Sequence, residues 1–361
     1  MTWLALRKIG GPTQRIGATG LPVRLDVGTL VFELDLDEVA RVRGPVLRLA
    51  PRMEPQRIFA LEATTDGRLH FLRRHGPDVS HLSIGLGRVP VSGQLRLSYH
   101  WDHRRGRSLL TAENLTSGTI RQQEANVALP LLAGEIGALF DTDREGPRHT
   151  ALDWFGLADH WQTVGPTPGL APWTEIVTAD GPRPIASIRP GDLVLTADEG
   201  LQPVLWQGGV EVPAIGSFRP VRLIAPYFGL GSDLVAQPSQ RIALSGADVE
   251  YHFGEEEVLV EARHLVNGET AVWEAESATA ICHGLLLERH ALIAAGGVWT
   301  ESLYLGRIAA NPALARTTAP GALAARGALP LHSSPVRREL LEFEALELSL
   351  ARLRRRAPRA V

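Results

Sequence analysis

The stretch Thr174 to Trp206 constrains the fold of this chain more than any other. Its apolar residues come in short runs: Ile176-Val177, Leu193-Val194-Leu195 and Val204-Leu205-Trp206. Asp180-Gly181-Pro182 closes the first run, Pro190-Gly191-Asp192 opens the second, and Asp198-Glu199-Gly200 precedes the third. Runs of this length, punctuated by Gly, Pro and Asp, predict a compact sheet with tight turns and not a helix.

The residues before it read as strands too. Leu30 to Leu36 alternates apolar and acidic residues at its end, and Arg57 to Glu62 is joined to Arg68 to Leu72 through Asp66-Gly67, a hairpin signal. Gln94 to Trp101 alternates strictly, as a half-buried strand would, and Ser108 to Asn114 follows. Short strands at about 10-residue spacing predict an all-β sandwich over residues 1–163. Asp141 to Pro147 reads as a polar turn. Gly165-Pro166-Thr167-Pro168-Gly169 then marks a boundary, with residues 164–168 as linker.

Composition limits the function classes. An apolar fraction of 44% and a charged fraction of 21% are those of an ordinary globular chain, and 361 residues suggest two or three domains. A net charge of −3 gives no reason to expect a nucleic-acid partner. The single cysteine, Cys282, excludes an intramolecular disulfide and any multi-thiolate zinc site, and its apolar neighbours Ala280 and Ile281 read as a small buried hydrophobe. No cofactor is expected. His100, Asp102 and His103 cluster at a strand end, but no separate third ligand accompanies them, so no metal is assigned. No apolar run reaches the roughly 18 residues of a spanning helix. The N-terminus lacks the apolar core of a cleavable signal peptide, so a cytoplasmic location is the default; secretion through a C-terminal signal would leave no mark in these tests.

The segment from Gly169 onward resembles the Hint domains of hedgehog proteins and inteins, above all the bacterial kind with no evident splicing partner. The resemblance rests on four blocks in order. They are the opening segment with Gly191-Asp192-Leu193-Val194, then Gln237-Pro238-Ser239-Gln240-Arg241, then Phe253 to Gly268, and finally Leu285 to His290 with Gly297 to Tyr304. It implies a curved all-β Hint fold over residues 169–307. The order of strands before it resembles, more diffusely, a concanavalin-like jelly roll. The expected fold class is therefore mostly β: a jelly-roll-like sandwich, an all-β Hint fold and a C-terminal helix.

A Hint domain attacks the peptide bond before its first residue by an acyl shift to a thiol or hydroxyl, and a histidine assists the departing amide nitrogen. Active relatives begin Cys-Phe-Thr-Pro-Gly-Thr. Alignment on Pro172 and Thr174 places Gly169 at the cysteine, Gln240 at the block histidine, and Gly284 at a later histidine, with His283 one residue away on the other strand face. Glycine offers no nucleophile, and an amide neither takes up nor releases a proton near neutral pH. Weak substitutes are Thr167 and Thr174 as hydroxyls, and His264, in an expected short helix Glu261 to Val266, and His290 as bases, the last beside Glu288 or Glu301.

Residues 308–361 are expected to comprise a Pro-, Gly- and Ala-rich connector, Asn311 to Leu331, and a helix from Ser333-Ser334-Pro335. Its apolar stripe would be Val336, Leu340, Phe343, Leu346, Leu350 and Leu353, and it ends in Arg352, Arg354, Arg355, Arg356 and Arg359. The helix either docks on its own domain or meets a membrane surface or partner. Three functional readings follow. The first is a degenerate Hint protein acting as a binding or structural module for an unknown protein or glycan partner. The second is an autoprocessing protein cutting near residue 169 with a substitute nucleophile. The third is a carbohydrate-binding protein whose sandwich presents Tyr99, Trp101 and His103, with Trp154 as a further aromatic.

Overall fold

The computed structural model describes residues 2–17, 20–41, 45–49, 56–87, 92–141, 150–274 and 277–356. The polar turn expected at Asp141 to Pro147 falls, after Asp141, outside the described residues. The chain forms two compact units, Met1–Gly165 and Pro166–Val361. Strands dominate both, and no described helix is long and apolar enough to cross a membrane.

In the first unit the alternating runs build two main antiparallel sheets, beside a short pair of Arg24–Leu25 with Leu131–Leu132. The larger is seven-stranded, in the order Thr119–Ala125, Arg107–Asn114, Gln94–Asp102, Val27–Asp35, Leu152–Ala158, Trp3–Lys8, Thr13–Arg15. The smaller is a four-stranded meander from Pro45–Leu49 to Asp78–Gly85. Within it, Arg57–Ala63 and Arg68–His75 form the expected hairpin, with Gly67 at φ 75° in the turn. Phe32, Leu97, Tyr99 and Trp101 of one sheet share a core with Phe59, Leu61 and Phe71 of the other. This is a β-sandwich.

The strand Gln94–Asp102 is not half-buried. Its apolar side faces the core, and its polar side is covered as well. The buried side chains of Arg96 and Glu113 pair at 3.2 Å, and Trp154 Nε1 donates to Glu33 Oε2 at 2.7 Å. The segment after the last strand lies over this face. Thr29 Oγ1 donates to the His160 carbonyl, His100 Nε2 donates to that of Gln162, and Gly165 N–H donates to Glu113 Oε2. Alternation reports only which side is apolar. The polar side is buried here because each of these groups finds a partner.

In the second unit the turns do what their residues require. Asp192 N–H donates to the Arg189 carbonyl at 3.0 Å around Pro190-Gly191, and Gly191 has φ 96°. Proline first and positive-φ glycine second is the type II arrangement. The Asp192 carboxylate secures the turn by accepting from Arg189 N–H and Arg183 Nη1, both at 3.0 Å. Strands Leu193–Thr196 and Gly200–Pro203 pair across a three-residue loop, with Gly200 at φ 67°. A nine-stranded sheet, a long pair of Trp206–Pro213 with Thr279–Leu286, and a three-stranded sheet enclose an aliphatic core.

The C-terminal segment belongs to this unit and departs from expectation. The helix begins at Glu342, not Ser333. Arg338–Glu339 instead forms a parallel strand on Glu257–Glu261, and Leu340 N–H donates to the Leu259 carbonyl at 2.9 Å. An available sheet edge captured these residues against the helical pattern. Leu340, Ala345 and Leu348 enter the core, whereas Phe343, Leu346 and Leu350 are exposed, so of the expected stripe Leu340 turns inward and these three face outward. Arg352 reaches back to Asp248 at 2.6 Å, and Ser349 Oγ donates to the His264 carbonyl. Within the connector, short helices Pro312–Ala315 and Gly321–Ala325 pack with Leu314 and Ala315 buried.

Candidate functional site

The chain enters the second unit as a short extended segment held on both sides. Leu170 exchanges two backbone hydrogen bonds with His283, at 2.9 and 2.7 Å. On the other side the Gly169 carbonyl accepts from Gln237 N–H at 2.7 Å, and Ala171 N–H donates to the Val235 carbonyl at 3.0 Å. The Pro168–Gly169 peptide bond is thereby fixed between the strands Leu234–Ala236 and Thr279–Leu286.

Two side chains or their absence define its surroundings. A β-carbon on Gly169 would stand 1.9 Å from Gln240 Oε1, 2.7 Å from its Cδ and 2.8 Å from its Cβ. These separations are far inside van der Waals contact, so the Gln240 amide occupies the space a side chain at 169 would take. Gln240 is locked there, since its Nε2 donates to Thr300 Oγ1 at 2.7 Å and to the Glu301 carbonyl at 3.0 Å. Thr300 Oγ1 in turn donates to the Arg241 carbonyl. On the other flank, a β-carbon on Gly284 would lie 3.1 Å from Pro168 Cβ, so Pro168 packs on the bare glycine backbone. Positions 169, 240 and 284 thus converge on one peptide bond.

His283 faces away from Gly284, as strand alternation demands. Its ring lies over Gly209, where a β-carbon would come within 2.7 Å, and its Nδ1 accepts from Gln207 Nε2 at 2.8 Å. Burial holds its pKa below the ordinary imidazole value, so it is neutral at pH 7. Cys282 is buried too. Its sulfur accepts from Gln237 Nε2 at 3.0 Å, and burial pushes the thiol up to about 11, which leaves almost no thiolate near neutral pH.

The remaining candidates lie in other environments. Thr174 is buried where its N–H closes a turn onto the Ala171 carbonyl. Thr167 is half-buried in the entering segment. His264 sits in a 3₁₀ helix, Ala262–Leu265, shorter than the expected helix, with its Nε2 3.5 Å from Glu261 Oε2. Burial, followed by Arg263, lowers its pKa. His290 meets Glu301, at 3.2 Å, and not the exposed Glu288. Its Nδ1 accepts from Val336 N–H at 3.0 Å, so the proton on Nε2 faces Glu301. Arg241 also holds Glu301, at 2.7 Å. The pair is a closed buried network in which both imidazole nitrogens are engaged.

The sandwich residues correct the glycan expectation. Tyr99 and Trp101 are 0% exposed, so neither can serve as a stacking platform. Trp101 Nε1 donates to the Leu25 carbonyl, and Trp154 is equally buried. His103 Nδ1 donates to the Ala128 carbonyl, His100 to that of Gln162, and Asp102 accepts from Arg105. The three engage separate partners, and among the described residues no group of three or more His, Cys, Asp or Glu forms a metal-binding cluster.

Sequence reasoning missed Thr300 as the clamp on Gln240 and Pro168 as the neighbour of Gly284. The first had a signal in the alternating run Val298-Trp299-Thr300-Glu301, but its partner lies across the sheet and leaves no local trace.

The Hint domain family model matches residues 168–307. A search of the curated proteins found no match. Among solved structures, the bacterial intein-like domain from Clostridium thermocellum is 14% identical, covering 38% of this chain and 99% of that one with a TM-score of 0.29. The gp41-1 intein is 14% identical over 37% of this chain and 98% of that one, TM-score 0.24. The CBM40 of a Ruminococcus gnavus IT-sialidase is 16% identical over 37% of this chain and 64% of that one, TM-score 0.22. Residues 168–307 are a Hint domain.

Proposed function

We propose that this Hint domain has lost self-processing and serves as a binding or structural module. The observation that carries the reading is the contact of Gln240 with Gly169. The residue that would attack has no side chain, and its place is filled by an amide that cannot shuttle protons. Loss of a general acid or base alone lowers rates by roughly 10²- to 10⁴-fold, which a slow single turnover survives. Loss of the nucleophile removes the covalent route altogether.

The rival is a substitute hydroxyl from Thr167 or Thr174. It is tested by producing the full chain, tagged at both ends, as wild type, Thr167→Val and Thr174→Val. The expected outcome is one full-length species in all three. Fragments in the wild type that disappear in one variant would overturn the proposal and identify the nucleophile.

A further inference from the structure

The helix Glu342–Arg356 has two apolar faces, and only one is used. Ala345 and Leu348 sit in the core at 1% exposure, while Phe343, Leu346 and Leu350 on the opposite side are 66%, 46% and 53% exposed. These three fall at steps of three and four, and Leu353 stands at the next position of the same spacing. That is the a/d spacing of a helix pair, in which each apolar residue fits between residues of a facing helix. A helix docked on one side by Leu340, Ala345, Leu348 and the Arg352–Asp248 pair presents this second seam on a rigid support.

Charge along the helix selects the occupant. The first half carries Glu342, Glu344 and Glu347, and the last turn carries Arg354, Arg355 and Arg356. Glu344 is already engaged by Arg338 and Leu341 N–H, while Glu342 and Glu347 are exposed. An anionic lipid surface would attract the last turn and repel the first two. A second copy lying antiparallel sets the acidic half of each helix against the basic half of the other, and opposes the two helix dipoles favourably. A parallel pair would instead oppose like charges along its whole length. We propose that the chain self-associates through an antiparallel pair of Glu342–Arg356 helices, with Phe343, Leu346 and Leu350 as its seam.

Two such short helices bury little surface, so association in the micromolar range is expected. Sedimentation of the full chain is followed from about 1 to about 200 µM, which brackets such an affinity. The proposal expects a monomer–dimer equilibrium in the wild type and a monomer at every concentration for the Leu346→Glu, Leu350→Glu double variant. At about 1 µM, where the wild type is monomeric, the variant's unfolding temperature should match it, because both positions are exposed. Orientation is read by mixing Glu342→Cys chains with Arg356→Cys chains under mild oxidation, since both positions flank the same side of the seam. An antiparallel pair favours the mixed disulfide, and a parallel pair favours the two homotypic ones. A wild type that stays monomeric, a dimer untouched by the double variant, or homotypic cross-links would each overturn the proposal. So would a monomer that floats with phosphatidylglycerol vesicles through these same leucines, which would assign the face to lipid.

Discussion

Replacing Gly169 with alanine adds one methyl group at the point where the entering segment meets Gln240. The Gly169 backbone lies outside the left-handed region, so no φ strain arises, and restriction of the unfolded chain would favour alanine by about 0.4–1 kcal/mol. The added carbon meets Oε1 at 1.9 Å and Cδ at 2.7 Å, on a side chain tethered by two hydrogen bonds. Overpacking of this kind costs about 1–3 kcal/mol, so a net loss of about 1–2 kcal/mol is expected.

Gln240→Ala alone loses both bonds, at about 0.5–1.5 kcal/mol each. In the double variant the two worst contacts are gone and only the Cβ–Cβ approach of 2.8 Å remains, which needs a small backbone shift. Its cost should therefore fall short of the sum of the singles by about 1 kcal/mol. Thermal and urea unfolding of the four proteins measures this, at about 2–4 °C per kcal/mol for a unit of this size. A neutral or stabilising Gly169→Ala, or strictly additive costs, would refute the claim that Gln240 fills the side-chain space at 169. The same contacts make Gly169→Cys costly, so a thiol side chain at position 169 does not fit without reshaping position 240.

Further expectations concern the buried groups. Cys282 should resist alkylation at pH 8 in the folded chain and react at once in denaturant; ready labelling of the native protein would contradict its burial. Its raised folded pKa contributes stability that is present below the unfolded thiol value and lost as pH rises from about 8.5 towards 11, so Cys282→Ala should flatten the alkaline loss of stability. His100 shows the reverse sign. Burial depresses its pKa to about 4, so its contribution is present above the unfolded value of 6.5 and is lost as pH falls towards 4. Denaturation midpoints of wild type and His100→Gln should converge over that interval, and a gap unchanged between pH 7 and 4 would oppose this. Trp101→Ala should cost about 3–5 kcal/mol as a core truncation, measured by urea unfolding, whereas an exposed ligand platform would leave stability intact.

The strands of the sandwich and the turns of the Hint domain were legible because each rests on local chemistry. Asp66-Gly67, Pro190-Gly191-Asp192 and Asp198-Glu199-Gly200 specify turns by their own φ preferences and side-chain bonds. Positions 169, 240 and 284 were singled out by the family resemblance, but their convergence on one peptide bond was not legible, since it depends on strand pairing over long separations. The C-terminal helix misled for a related reason. Its periodicity singles out one stripe, but the parallel pairing of Arg338–Glu339 with Glu257–Glu261 orients the helix so that Ala345 and Leu348, on the other face, turn inward. Trp101 and Tyr99 misled because aromatic residues at a strand end suit either a core or a ligand platform, and only the second sheet settles which.

The most direct measurement is the intact mass of the purified full chain after long incubation with dithiothreitol or hydroxylamine, which trap thioester and ester intermediates. A single species at 39.2 kDa is the predicted result. Two fragments parting before Thr167, Gly169 or Thr174 would show that a peptide bond at this junction reacts, and would contradict the account.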